Sequence, residues 1–223
     1  MRRNIFGLLA GITLNTLLLT FPIVFLGRVD WIVTDSATVL FLLFATLFYL
    51  AEVTAVLATR TERTADQRAD DSTSNVVALC TSLGVLSVFW IGLTCRTAAD
   101  PRLDPLQLLG AFFFVLGIVL RRTAIRDLGP FFVTAIVVRK EQPLARSGIY
   151  RIVRHPSETG LLAIVFGASL LLASIFGSIV CCLIILPMSV WRMRREDRCL
   201  EQAFGEQFRD YTRQVKSILP FVL

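Results

Sequence analysis

The sequence predicts an all-α, polytopic membrane helix bundle with about 5–6 transmembrane segments, ending in a helical hairpin and an amphipathic interfacial helix. Three observations predict it. The 223 residues are 55% hydrophobic with mean hydropathy +0.67, above the ~45–50% apolar usage of soluble domains. The apolar residues come in blocks about as long as the ~20 residues that cross a bilayer. The 23 Lys and Arg flank those blocks, as the positive-inside rule expects.

Residues 1–120 carry four expected spans within one membrane domain, 1–223. The first covers residues 5–26. Its basic start resembles a signal peptide, but the apolar run exceeds a ~7–15-residue signal core, so it is read as retained. Residues 37–58 and 76–95 form the second and third spans, joined by the mixed-charge loop 59–75, which has the composition of a solvated connection. Glu52 stands near the end of the second span, either as a functional acid or as a snorkelling one. Residues 107–120 form a short fourth span, which Leu103 to Leu106 extend around Pro105.

Residues 121–157 form a basic connector and 158–192 a helical hairpin. The apolar run from Leu161 to Val190 is too long for one ordinary span, so a turn is expected at Gly177 and Ser178, with a kink at Pro187. Residues 193–223 hold "REDRCLEQAFGEQFRDYTRQV", where Leu200, Ala203, Phe204, Phe208, Tyr211 and Val215 recur at helical spacing around Gly205. Segment 121–157 has eight Lys and Arg and the tail from Arg192 seven, whereas loops 27–36 and 96–106 have one and two. This bias places both termini and the basic connector in the cytoplasm.

The net charge of +6 belongs to these flanks rather than to a nucleic-acid groove. Cys80, Cys95, Cys181, Cys182 and Cys199 form no C-x-x-C pair, and His155 is the single histidine. A zinc site and a disulfide framework are therefore both unexpected.

Two polar clusters remain, "SGIYRIVRHPSETG" before the hairpin and "RMRRED" after it. A helix pair that leaves and returns on one membrane face brings its flanks together, so Arg154, His155 and Glu158 should meet Arg194, Glu196 and Asp197. Pro156 suits a first helical turn, whose free amides together with Arg154 make an anion site. Taken singly, each cluster has a plainer reading: a topology signal, or local helical ion pairs such as Asp197 with Arg194 and Glu201 with Arg198, three residues apart.

In this order the two clusters resemble the integral membrane S-adenosylmethionine-dependent methyltransferases, the isoprenylcysteine carboxyl methyltransferases and phospholipid N-methyltransferases. The resemblance covers about residues 126–220. Gly148, Tyr150, Arg154, His155, Pro156 and Gly160 match its first motif, and Glu196, Asp197, Leu200, Phe204, Gly205 and Tyr211 its second. Ile149 replaces the family's Pro, Asp197 its second Glu and Glu158 its Tyr.

The resemblance implies S-adenosyl-L-methionine as cofactor, held by Ser147, Gly148, Tyr150, Arg154, His155, Pro156, Gly160, Glu196 and Asp197 at the cytosolic membrane face. It implies a lipophilic acceptor, carboxylate, amine or thiol, entering from the bilayer, with Glu158 and Arg154 as catalytic and Glu158 and Arg194 as acceptor-binding candidates. No metal or nucleic acid is expected. Two alternatives stand beside it. "EDRC", Glu196 to Cys199, is also similar to membrane sterol reductases, which use NADPH, and the Glu158 departure fits a non-catalytic lipid-binding relative.

Overall fold

The computed structural model describes residues 17, 19–60, 86–96, 98–132, 138 and 142–218. Most of the expected first span, residues 61–75 of the loop and residues 76–85 of the third span lie outside them, as do Arg139 and Lys140. The described residues are helical: α1 (residues 19–25), α2 (Trp31–Thr34), α3 (Ser36–Arg60), α4 (Leu86–Cys95), α5 (Pro105–Leu128), α6 (Pro156–Leu171), α7 (Ile175–Val180), α8 (Leu186–Phe204) and α9 (Glu206–Gln214). Among them, three helices are long and apolar enough to cross a membrane, Ser36–Thr54, Pro105–Phe131 and Ile175–Phe204, and Leu86–Cys95 and Pro156–Leu171 are shorter apolar helices.

α5 starts where local chemistry dictates. Pro105 fills the first turn, and Asp104 and Gln107 exchange side-chain to backbone hydrogen bonds of 2.8 and 3.0 Å in a capping box. The helix then continues past the boundary expected at residue 120, taking in Arg121, Arg122 and Arg126. Arg121 is accommodated there because Glu52 of α3 neutralises it at 2.6 Å.

α5 and α6 form the closest helix pair, because glycines face each other along the contact. A Cβ on Gly110 would sit 2.3 Å from the Leu171 nitrogen, one on Gly167 2.4 Å from the Phe114 nitrogen, and one on Gly117 2.5 Å from the Gly160 carbonyl oxygen. Small residues let membrane helices approach to backbone contact. Around this seam lies the core, where Phe41 stacks on Phe89 at 4.5 Å and meets Phe114 edge-on at 6.2 Å.

The hairpin turn lies earlier than expected, at Leu172 to Ser174, and Gly177 and Ser178 are inside α7. The Ser174 hydroxyl accepts from the Gly177 amide at 2.9 Å, and the Ser174 amide donates to the Ser169 carbonyl. Serine capping thus outcompetes glycine as the turn signal. Just before Pro187, where a kink is expected, the helix carries a π-helical turn over Cys181–Ile185. The proline has no N–H to complete the i→i−4 ladder, and the wider turn takes up the mismatch.

α8 breaks at Gly205, whose φ is +54°, and α9 folds back. Its apolar stripe, Phe208, Tyr211 and the following Val215, packs on Leu144, Leu200 and Phe204 in a small second core.

Candidate active site

Three segments converge: the start of α6, the middle of α8 and the chain after α9. Pro156 occupies the first turn of α6 and His155 the cap position, but the imidazole does not cap the helix. It turns to α8, with Nε2 2.9 Å from Asp197 Oδ1 and Nδ1 3.6 Å from Glu196 Oε2. From the other side, the Arg154 and His155 amides donate to the Lys216 and Ser217 carbonyls at 2.8 and 3.1 Å. The Arg-His-Pro segment is therefore clasped between α8 and the chain end.

His155 is 4% exposed. Burial alone would lower its pKa, but hydrogen bonds to Asp197 and Glu196 outweigh that and raise it from 6.5 to about 9. At neutral pH the ring is an imidazolium with two carboxylate neighbours. Arg154 adds a second cation, its Nη1 3.5 Å from Asp197 Oδ2, while its buried Nε has no hydrogen-bond partner.

Beside this clasp lies a cavity of about 60 Å³, bordered by Tyr150, Arg154, Glu196, Phe204, Phe208 and Tyr211 and walled by residues 142–145. Tyr211 donates its hydroxyl to the Tyr150 carbonyl, and Tyr150 donates its own to the Ala124 carbonyl at 3.3 Å. Burial raises the pKa of both phenols, that of Tyr211 to about 12, so both stay protonated donors.

Gly148 has φ +57°, and a Cβ there would lie 2.1 Å from Asp127 Oδ2, the same oxygen that accepts from the Ile149 amide at 3.0 Å. Its contribution is the turn that presents Tyr150. Ser147 stands at the start of that turn without a side-chain capping bond and is exposed. Gly160 faces the α5 backbone at the glycine seam, a packing position.

Glu158 does not meet Arg194. It is 6% exposed and pairs with Arg192, Nε to Oε1 3.0 Å, and its second oxygen is buried without a hydrogen-bond partner. Arg194 is exposed. Helical geometry explains the difference, since Arg192 lies one turn before Glu196 on the same face and Arg194 is turned away. That i,i+4 relation was the available signal for Arg192. Asp197 and Glu201 likewise take partners other than Arg194 and Arg198: Asp197 meets His155 and Arg154, and Glu201 meets Arg209 at 2.8 Å.

Glu52 is held bidentately by Arg121 at 2.6 and 2.7 Å, and Arg121 Nη1 reaches the Ser157 hydroxyl at 2.8 Å. This strut ties α3 and α5 to the first turn of α6. Sequence periodicity offered no sign of Arg121, which reads as connector charge.

Residues 106–207 match the family model described as phospholipid methyltransferase. The chain is 34% identical over 115 residues to protein-S-isoprenylcysteine O-methyltransferase B of Arabidopsis thaliana, covering 51% of this chain and 58% of that one. It is 30% identical over 112 residues to the Schizosaccharomyces pombe protein-S-isoprenylcysteine O-methyltransferase, covering 49% and 48%. It thus spans about half the length of the curated relatives it matches. A solved structure of a eukaryotic intramembrane Ras methyltransferase, isoprenylcysteine carboxyl methyltransferase, superimposes with TM-score 0.58 at 21% identity, covering 95% of this chain and 77% of that one, which shows a shared fold. The methyltransferase expectation, rather than the NADPH-reductase one, is what these relatives share. Residues 106–207 thus resemble the phospholipid methyltransferase family, and the relatives matched are methyltransferases.

Proposed function

We propose that the protein is an S-adenosylmethionine-dependent methyltransferase acting on a lipophilic, membrane-partitioned acceptor at the cytosolic face. The observation that carries this reading is the clasp of His155 by Glu196 and Asp197. It brings the two motif segments, 42 residues apart, to one cavity. The methyltransferase names of the relatives support it, and the basic flanks of the site support the cytosolic side.

The residues fit the cofactor chemically. The unpartnered buried Nε of Arg154 is a donor awaiting an anion, as an amino acid carboxylate would provide. Glu196 on the cavity border suits an ammonium or ribose hydroxyls, and Tyr150, Phe204, Phe208 and Tyr211 suit an adenine. The cavity of about 60 Å³ is well below the ~300 Å³ of small-molecule pockets. Binding therefore requires the wall at 142–145 to move away from Leu200 and Phe204. Pro156 and Gly160 shape the start of α6, Ser147 and Gly148 the turn before it, and His155 with Asp197 positions Arg154.

S-adenosylmethionine supplies a methyl group on a sulfonium, which bonds to the acceptor's lone pair as the C–S pair returns to sulfur, leaving a neutral thioether. The protein's part is alignment and exclusion of water. Glu158 and Arg154 flank the region where acceptor and cofactor would meet.

Calorimetry on the detergent-purified chain tests the reading. S-adenosylmethionine binds, and His155→Ala or Glu196→Ala weakens binding by roughly tenfold or more. Absence of binding, or binding indifferent to both variants, overturns it.

A further inference from the structure

Glu158 poses a question that the clasp does not answer. Its carboxylate is buried with one oxygen on Arg192, 3.0 Å away, and the other oxygen unpartnered. An ionised oxygen buried without a donor is costly and marks a place where a ligand's donor belongs. The nearby cation offers no relief, because Arg121 is committed to Glu52 and Ser157.

Glu158 also has a defined depth. Arg192 lies one helical turn before Glu196 on α8, so the Glu158–Arg192 pair sits about 5.4 Å further along the helix, toward the apolar layer, than the carboxylate bordering the cavity. Beyond it come Ser189, which is buried, and then Ile185 packed with Val165. On the methyltransferase reading, a polar head carried in from the bilayer would meet this pair before the cavity.

We infer that the Glu158–Arg192 pair selects the acceptor, admitting a head that donates a hydrogen bond, an amine or a thiol, and turning away a carboxylate. This rests on the methyltransferase reading above. A donor head satisfies the unpartnered Glu158 oxygen. A carboxylate meets that oxygen with like charge in a desolvated site, where such juxtaposition is strongly unfavourable, and finds Arg192 already neutralised.

The test uses the full chain in detergent with labelled S-adenosylmethionine and three acceptors with one common tail: hexadecylamine, hexadecanethiol and hexadecanoate. Wild type is expected to methylate the amine or the thiol with kcat/KM about tenfold or more above hexadecanoate; the two donor arms show which head is used. Glu158→Gln keeps the shape but removes the charge that faces the acceptor head. It is expected to lower the donor rates and raise the hexadecanoate rate, shrinking the ratio by about tenfold. If that variant does not fold, Glu158→Gln/Arg192→Gln removes both charges together and is expected to lose the discrimination.

Preference of wild type for hexadecanoate overturns the inference, as does an equal loss on all three acceptors in either variant. Labelling of no acceptor by a protein that binds the cofactor overturns the inference alone. Failure to bind the cofactor, read by calorimetry before any acceptor is added, overturns the methyltransferase reading and the inference with it.

Discussion

Among the described residues, the charge cluster of the clasp and the one around Asp35 are finished differently. Asp35 is fully buried and accepts four hydrogen bonds, two from Arg96, one from the Thr38 amide at 2.8 Å and one from the Asp100 amide at 3.0 Å. Arg28 and Arg96 stand over Trp31 at 4.1 and 5.1 Å, and Arg28 also donates to the Arg96 carbonyl. The clasp and the adjoining Glu158–Arg192 pair hold more charged groups but leave Arg154 Nε and Glu158 Oε2 without hydrogen-bond partners. The unpartnered atom near Asp35 is the Thr38 hydroxyl, a neutral group that is cheaper to bury than a charge. A saturated cluster fastens the chain, and an unsaturated one costs stability that a ligand can return.

The largest effect expected from this contrast is at Asp35. Asp35→Ala strips Arg96 of its buried partner and uncaps α3, costing about 3–5 kcal/mol of stability. Thermal unfolding in detergent measures it. The protein that remains folded is expected to bind S-adenosylmethionine with affinity unchanged within about twofold.

Glu196→Gln is expected to do the reverse. It keeps the shape of the cavity border but removes a charge-assisted contact, so cofactor affinity falls by about 10–100-fold, or ~1.5–3 kcal/mol, with a smaller change in unfolding temperature. Titration calorimetry alongside the unfolding curve separates the two terms. Equal losses in both would make the clasp a fastening of the Asp35 kind.

The clusters also respond to pH with opposite sign. His155 has a folded pKa of about 9 against 6.5 unfolded, so its contribution is complete below pH 6.5 and fades as pH rises toward 9. For Asp35, burial raises the pKa but bonds from Arg96, Asp100 and Thr38 lower it further, to a net value below 3.8. That contribution is complete above 3.8 and fades on acidification. Unfolding between pH 6.5 and 9 is expected to show a loss on the order of 1–3 kcal/mol, abolished in His155→Gln and retained in Asp35→Asn.

The convergence of the clasp was legible in the sequence, because the hairpin rule needs only an apolar run of the right length and two polar flanks. Its pairings were less so. Arg194 and Arg192 differ by 200° around α8, and only the helical phase decides which faces Glu158. The α5–α6 seam was missed because Gly110, Gly117, Gly160 and Gly167 signal nothing until two helices are set side by side. The turn was misplaced because Ser174 competes with Gly177 as a helix start. The Asp35 cluster is not legible in the sequence because it joins segments more than 60 residues apart, which no local spacing encodes.

The smallest effect is expected at Glu52, which tells whether location or saturation decides the character of a cluster. Glu52 borders the clasp through Arg121 and Ser157, yet both its oxygens are bonded. If saturation decides, Glu52→Gln acts as a weak version of Asp35→Ala. Gln retains one acceptor for Arg121, and the pair is partly exposed, with side chains at 20 and 12%, so the cost is about 1 kcal/mol. Cofactor affinity then changes by no more than about threefold, and Glu52→Asp recovers most of the stability. If location decides, loosening Arg121 frees Ser157 and the Arg-His-Pro segment with it, and affinity falls as far as in Glu196→Gln. Measuring unfolding and cofactor binding on the same Glu52→Gln preparation distinguishes a strut that supports the bundle from one that sets the site.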